Sequence, residues 1–85
     1  MKPDIETDID TDKIDEVALA LLYLTMHSDS GGVRAWKGMD WEVMNRLHEK
    51  GYILDPKNKA KSVAVTVEGE EKAKELFDKY FRSRK

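Results

Sequence analysis

The side chains that could do chemistry are sparse in this chain of 85 residues, and their spacing does not match a catalytic or metal-binding motif. The absence of cysteine excludes disulfides and thiolate metal sites. His27 and His48 stand alone, without the i, i+4 partner or acidic companion of a zinc-binding helix. Ser62 and Thr66 lie near Lys61, but a nucleophile needs a base that a third group holds in place. We therefore predict no catalytic residue, no metal site and no cofactor.

Two tryptophans flank a glycine just before a predicted helix, in the segment Trp36-Lys37-Gly38-Met39-Asp40-Trp41. Such a pair can frame a pocket or a peptide groove, so Trp36, Lys37 and Trp41 form a candidate interaction surface. The alternative is that both indoles supply the large apolar area that a small core needs.

The charge of the chain is unevenly distributed. Its net charge is −2, but the first twelve residues carry five acids against one lysine, so residues 13–85 are mildly positive. The segment 1–12 has too little apolar content to fold alone. We predict a flexible acidic arm over residues 1–12 and a single domain over residues 13–85.

The first helix should begin after Asp12 as N-cap and end near His27. Its apolar residues cover most of the cylinder, beyond what burial on one side requires. We therefore expect a homodimer packed through this helix, with Leu19, Leu22 and Tyr23 as the candidate dimer residues. The remaining apolar stripe comprises Ile14, Val17, Ala18, Leu21 and Leu24.

The rest of the chain alternates turn signals with short apolar segments. Residues 28–32 are predicted to form a loop and residues 33–36 a strand. Asp40 is the expected N-cap of a second helix that ends at a left-handed Gly51. Further predictions are paired strands at 52–54 and 62–65, a basic turn at 55–61, and a third helix from the N-cap Thr66 to Phe81. The fold class is therefore α+β, with three helices and a small antiparallel sheet.

The segments Arg46–Ile53 and Lys61–Gly69 look like the recognition helix, wing and closing helix of small bacterial winged-helix regulators. Together with Arg34–Trp41, the chain more closely resembles a small prokaryotic domain family of unknown function, over roughly residues 13–81. The winged-helix resemblance implies a winged-helix-like fold over residues 40–81 with a hairpin wing. The resemblance to the family of unknown function brings no assigned activity.

If DNA binding accompanies the winged-helix resemblance, the second helix and the wing would carry it. Arg46 and Lys50 would contact bases, and Lys57, Lys59 and Lys61 would contact phosphates. The alternative is that these charges only solvate a surface helix and protect an edge strand from aggregation.

We expect a non-enzymatic interaction module in the cytoplasm, partnered by a second copy and by a protein not identified from the sequence. The longest apolar run, residues 17–24, is far shorter than the about 20 residues that span a membrane. One alternative is a winged-helix DNA-binding regulator, which makes nucleic acid a secondary partner. A third reading is a small-molecule sensor with a pocket between the tryptophans.

Overall fold

The computed structural model describes residues 9–29, 31–57 and 60–82, and within them helices pack on one face of an antiparallel sheet. This is the α+β arrangement that the sequence predicts. Residues 1–8, most of the predicted acidic arm, lie outside the described residues. The elements in chain order are α1 (Thr11–Leu22), a 3₁₀ turn (Tyr23–Thr25), β1 (His27–Asp29), β2 (Gly32–Trp36), α2 (Trp41–Glu49), β3 (Ser62–Val65) and α3 (Val67–Phe81).

Each α-helix begins at a side chain that caps it. Asp40 accepts a hydrogen bond from the Glu42 N–H, and Thr66 accepts one from the Gly69 N–H, as the sequence predicts for α2 and α3. The prediction for α1 is wrong by two residues, because its N-cap is Asp10, whose side chain accepts from the Lys13 N–H.

The segment predicted as a loop before the first strand contains a strand of its own. β1 pairs antiparallel with β2, with His27 opposite Arg34 and Asp29 opposite Gly32. The prediction of a continuous loop over 28–32 is therefore wrong, because His27–Asp29 forms β1 and β2 already begins at Gly32. Gly32 adopts a φ of +119°, which glycine tolerates and other residues rarely adopt.

The sheet has the order β1-β2-β3, and the predicted hairpin is only partly formed. β3 pairs along its length with β2, whereas segment 52–54 contributes a single bridge between Ile53 and Val65. Two backbone hydrogen bonds flank the bridge, Leu54 N–H to the Ala64 carbonyl at 3.0 Å and Thr66 N–H to the Tyr52 carbonyl at 3.0 Å. Gly51 has a φ of +84°, as predicted for the end of α2. The winged-helix likeness itself stays a prediction.

α3 approaches the backbone of segment 52–54 through a glycine. A Cβ atom at Gly69 would overlap the Tyr52 carbonyl oxygen and would lie only 2.8 Å from its carbon. Any larger residue would push the first turn of α3 away from this segment. Gly69 is therefore needed for the close packing of α3, although its φ is ordinary.

The two sides of α1 have the opposite roles to those that the sequence suggests. Leu19 and Leu22 are buried in the core of one chain, and Tyr23 is half-buried with its ring 5.4 Å from that of Phe77 on α3. Leu19 and Leu22 are thus unavailable to a second copy, which corrects their assignment to a dimer surface. The exposed large apolar side chains of α1 and the turn that follows it belong to the other stripe and are Ile14, Leu21 and Leu24. None of the helices in the described part of the chain has the length and apolar character needed to cross a bilayer.

Candidate functional site

A buried carboxylate joins α1 to α2. Asp15 is only 1% exposed, and its two oxygens accept hydrogen bonds from Arg46 Nε at 3.0 and 2.9 Å. Lys50 Nζ donates to the same carboxylate at 2.9 Å and to Asp12 at 3.0 Å. One turn separates Arg46 from Lys50, so both cations extend from the same side of α2 toward α1. We call Asp15, Arg46 and Lys50 the ionic cluster.

The electrostatics of the ionic cluster favour its charged form. Burial by itself raises the pKa of Asp15, but the hydrogen bonds from Arg46 and Lys50 outweigh it and hold that pKa below its ordinary 3.8. Burial likewise lowers the pKa of Lys50, and its bonds to Asp15 and Asp12 reverse the effect, raising that pKa above 10.5. The cluster is therefore a fully ionised clamp between two helices at neutral pH.

The clamp changes the role of two of the candidate nucleic-acid contacts. Arg46 and Lys50, predicted to face bases, direct their charged groups toward Asp15. A cation in this geometry would have to leave a carboxylate before binding a phosphate or base. Lys57 and Lys61 are both exposed, and Lys59 lies outside the described residues. The basic residues of α2 are thus held in ion pairs, whereas Lys57 and Lys61 near the turn are exposed.

An open apolar groove of about 600 Å³ runs along the exposed side of α1. Its floor is aliphatic, and its rim carries the charged residues Asp10, Lys13 and Asp40. Neither tryptophan lines it, so the groove differs from the pocket predicted between them. The apolar side chains that line it are Ile9, Ile14, Val17, Ala18, Leu21, Met39 and Val43.

Trp36 presents a large aromatic surface at the end of β2. The residue is 59% exposed. A Cβ atom built on Gly38 would overlap three consecutive atoms of the Trp36 ring, Cζ2, Cη2 and Cζ3, at nearly equal distances. Equal distances to consecutive atoms place Gly38 under the face of the ring, since a neighbour at the edge would be much closer to one of them. Gly38 supports the indole from below.

Two hydrogen bonds of Lys37 bring lysine-bearing segments of the chain next to Trp36. The Lys37 N–H donates to the Lys61 carbonyl at 3.2 Å, and Lys37 Nζ donates to the Pro56 carbonyl at 2.7 Å. These bonds bring the chain segments that carry Lys57 and Lys61 next to Trp36. Lys37 itself is half-buried, so it positions the segment more than it offers a free charge.

Arg34 completes the basic surroundings. It stands two residues before Trp36 and therefore on the same outer face of the sheet. Its guanidinium donates to Ser62 Oγ at 2.7 Å and to the Ser62 carbonyl at 2.8 Å, and Ser62 is the strand partner of Trp36. We call Arg34, Trp36, Lys57 and Lys61 the Trp36 surface. The structure thus unites one predicted interaction residue, Trp36, with two predicted phosphate contacts.

The remaining candidates occupy other environments. Trp41, the first residue of α2, is about half exposed. Nδ1 of His48 lies 3.1 Å from the Ile53 carbonyl, and Nδ1 of His27 lies 3.0 Å from the Thr25 carbonyl. Within residues 9–29, 31–57 and 60–82, no group of three or more acidic or histidine side chains is placed to hold a metal ion.

Asp15 is the residue that sequence reasoning missed. Its position near the start of the first helix indicates, by itself, only a favourable interaction with the positive pole of the helix dipole. A signal was present in its position, because Asp15 stands four residues before Leu19 and seven before Leu22, on one helical face. A carboxylate within an apolar face implies a cation from another element, and Arg46 and Lys50 are one turn apart on the second helix.

One relative shares most of its length with this chain. An uncharacterised protein, y4hR of Sinorhizobium fredii (strain NBRC 101917 / NGR234), is 51% identical over 74 residues, which cover 87% of this chain and 96% of that protein. No solved structure matches the chain. The family model described as a domain of unknown function, DUF6429, matches residues 10–83, and the chain belongs to this family.

Proposed function

We propose that this protein is a non-enzymatic interaction module that forms a homodimer through the groove along α1. The observation that carries the proposal is the groove itself, an aliphatic channel of about 600 Å³ on the outer side of a helix. Ile14 and Leu21 contribute to it while remaining more than a third exposed. Burial of exposed apolar surface against a partner is favourable and drives association.

The charges on the groove rim favour a second copy as the partner. In a two-fold dimer the same patch meets itself, so its charges must be self-complementary. The rim carries both signs, one lysine (Lys13) and two acids (Asp10 and Asp40). A two-fold axis across α1 can therefore bring Lys13 of one protomer toward an acid of its partner. A wholly acidic or wholly basic rim would oppose such pairing.

The size of the chain adds a second argument for self-association. A domain of 85 residues buries a smaller fraction of its surface than a larger domain, and this chain has no cysteine for a stabilising disulfide. Covering the α1 groove would extend the core across two protomers. We propose a non-enzymatic role because side chains that could act in catalysis have structural contacts instead. His48 contacts a backbone carbonyl, and Thr66 caps α3.

The test is the molar mass in solution for two matched leucine variants. Leu21 lines the groove at 37% exposure, whereas Leu24 lies outside its lining at 65% exposure. Multi-angle light scattering over a concentration series should give a dimer for the wild type and for Leu24→Glu. Leu21→Glu should give a monomer, because a carboxylate would be buried in an apolar interface.

Two results would overturn the proposal. One is a wild-type protein that stays monomeric at high micromolar concentration. The other is an equal loss of dimer in Leu21→Glu and Leu24→Glu, which would place the interface elsewhere. Circular dichroism of both variants distinguishes a lost interface from a lost fold.

A further inference from the structure

We infer that the Trp36 surface binds single-stranded nucleic acid, with a base stacked on the indole and phosphates held by the surrounding cations. Single-strand binding sites combine an aromatic platform with basic side chains that follow the backbone. This site lies on the outer face and end of the sheet. It does not involve the α1 groove, so it stands independently of the homodimer.

The Trp36 ring has the geometry of a stacking platform. Gly38 supports one face of the ring, and the exposure of 59% leaves a large part of the indole open to a ligand. The backbone N–H of Trp36 donates to Thr25 Oγ1 at 3.0 Å, which fixes the strand end beneath the side chain. A ring held from below loses little side-chain freedom when a base stacks on it.

The charges around the ring suit a phosphate backbone. Lys57 and Lys61 are exposed, and the hydrogen bonds of Lys37 to Pro56 and Lys61 hold their segments beside β2. Arg34 adds a guanidinium on the same sheet face, oriented by its two bonds to Ser62. Asp55 is the nearby acid in the turn, and one of its carboxylate oxygens accepts from the Lys57 N–H at 2.9 Å.

The same geometry favours a single strand over a duplex. Bases in a duplex already stack on each other and present only their edges to a protein. An aromatic face accepts an unpaired base instead, whatever its sequence. The two cations of α2 that could have entered a major groove are held in the ionic cluster. The inference is therefore a single-strand site of low sequence specificity.

The test uses the two tryptophans separately. The chain has two, so Trp41→Phe leaves Trp36 as the sole indole and Trp36→Phe leaves Trp41. The probe is oligothymidylate of about twelve nucleotides, within the range of known single-strand sites, added at low salt. We expect quenching of the emission from Trp36 alone and no change in the emission from Trp41 alone.

Substitutions then separate the contribution of base stacking to the binding affinity from the contribution of the charges. In fluorescence anisotropy with a labelled form of the same oligonucleotide, Trp36→Ala should weaken binding about tenfold, the range expected for one stacked base. Gly38→Ala should weaken it similarly with every charge retained, because the new methyl group displaces the ring. Lys57→Ala and Lys61→Ala should each reduce the slope of log K against log salt by about 0.7. Lys74→Ala, an exposed lysine on α3, is the matched control and should change neither quantity.

Three results would overturn the inference. The first is no quenching of Trp36 at low salt, and the second is equal quenching of Trp41. The third is binding of a duplex of the same length as tight as that of the oligothymidylate. Because Trp36 is exposed, Trp36→Phe should keep the fold, and its thermal unfolding curve checks this.

Discussion

Two pairs of basic side chains in this protein look alike in sequence but differ in what holds them. Arg46 and Lys50 on α2 donate to Asp15, a carboxylate buried between two helices. Lys57 and Lys61 are exposed, on segments that adjoin the exposed Trp36. The first pair stabilises the fold, and the second remains available to a ligand. A basic residue can therefore serve recognition only when no acid from another element already binds it.

The comparison also explains which residues a partner could reach. Separating Arg46 from Asp15 would leave a buried carboxylate with only one cation, which is costly in a poorly solvated site. Moving the exposed Lys57 or Lys61 costs little, because water and salt screen the contacts of exposed charges. Ligand binding should therefore use the cations of the Trp36 surface and leave the ionic cluster intact.

The largest expected effect is a loss of stability in Asp15→Asn, which removes the buried charge. We expect the free energy of unfolding to fall by about 2–3 kcal/mol, below the about 3–5 kcal/mol for a fully buried pair. The reduction follows because the side chains of Arg46 and Lys50 are 29% and 33% exposed and can partly rehydrate. Lys57→Ala is the surface control, with an expected change within about 0.5 kcal/mol.

The measurement is urea unfolding followed by circular dichroism. All variants should be compared at one protein concentration, because the stability of the proposed dimer would depend on concentration. If Asp15→Asn cost no more than Lys57→Ala, the distinction between structural and available cations would fail.

A smaller effect should appear on acidification. The pKa of Asp15 in the folded protein lies below its ordinary 3.8, so the carboxylate stabilises the fold above that pH. The stabilisation is lost as the pH falls from about 3.8 through the folded-state pKa, because the unfolded chain then binds the proton more readily. Wild-type stability should therefore decrease more steeply below about pH 4 than that of Asp15→Asn.

The difference between the two proteins isolates Asp15 from its titratable neighbours. The cavity beside it is also lined by Asp12 and Glu16 of α1, by Lys50 of α2 and by Lys72 of α3, which are present in both proteins. Urea midpoints across the acidic range give the comparison. Parallel pH profiles for the wild type and Asp15→Asn would show that Asp15 does not contribute through its charge.

Much of the fold was predictable because local signals specify it. Asp40 and Thr66 cap their helices, and Gly51 has a positive φ, as their residue types indicate. β1 was missed because it is only three residues long and polar, so it lacks the apolar alternation that marks a strand. Its pairing with β2 supplies the stabilisation that its own residue types do not indicate.

The candidate sites were harder to predict because they depend on contacts between residues that are far apart in the sequence. Asp15 and Arg46 are 31 residues apart, and the local pattern around Asp15 indicates a cation without specifying which residue supplies it. Without it, the face that carries Leu19 resembles a surface that a second copy could cover, when it lies in the core. The grouping of Trp36 with Lys57 and Lys61 likewise depends on the pairing of β2 with β3. Residue types identify the candidate cations, but the tertiary contacts decide which of them an acid already binds.

The smallest expected effect compares the two acids that share Lys50. Its ammonium group lies 2.9 Å from Asp15 and 3.0 Å from Asp12, yet the Asp12 side chain is 81% exposed. Since water competes for an exposed pair, the coupling between Lys50 and Asp12 should be about 0.2–1 kcal/mol despite the similar distance. A double-mutant cycle of Asp12→Asn and Lys50→Met measures this coupling and removes the separate effect of Asp12 on the helix dipole. The equivalent cycle of Asp15→Asn with Lys50→Met should give a larger coupling, because Asp15 is buried. Equal couplings in the two cycles would mean that distance, and not burial, determines which cations the fold retains.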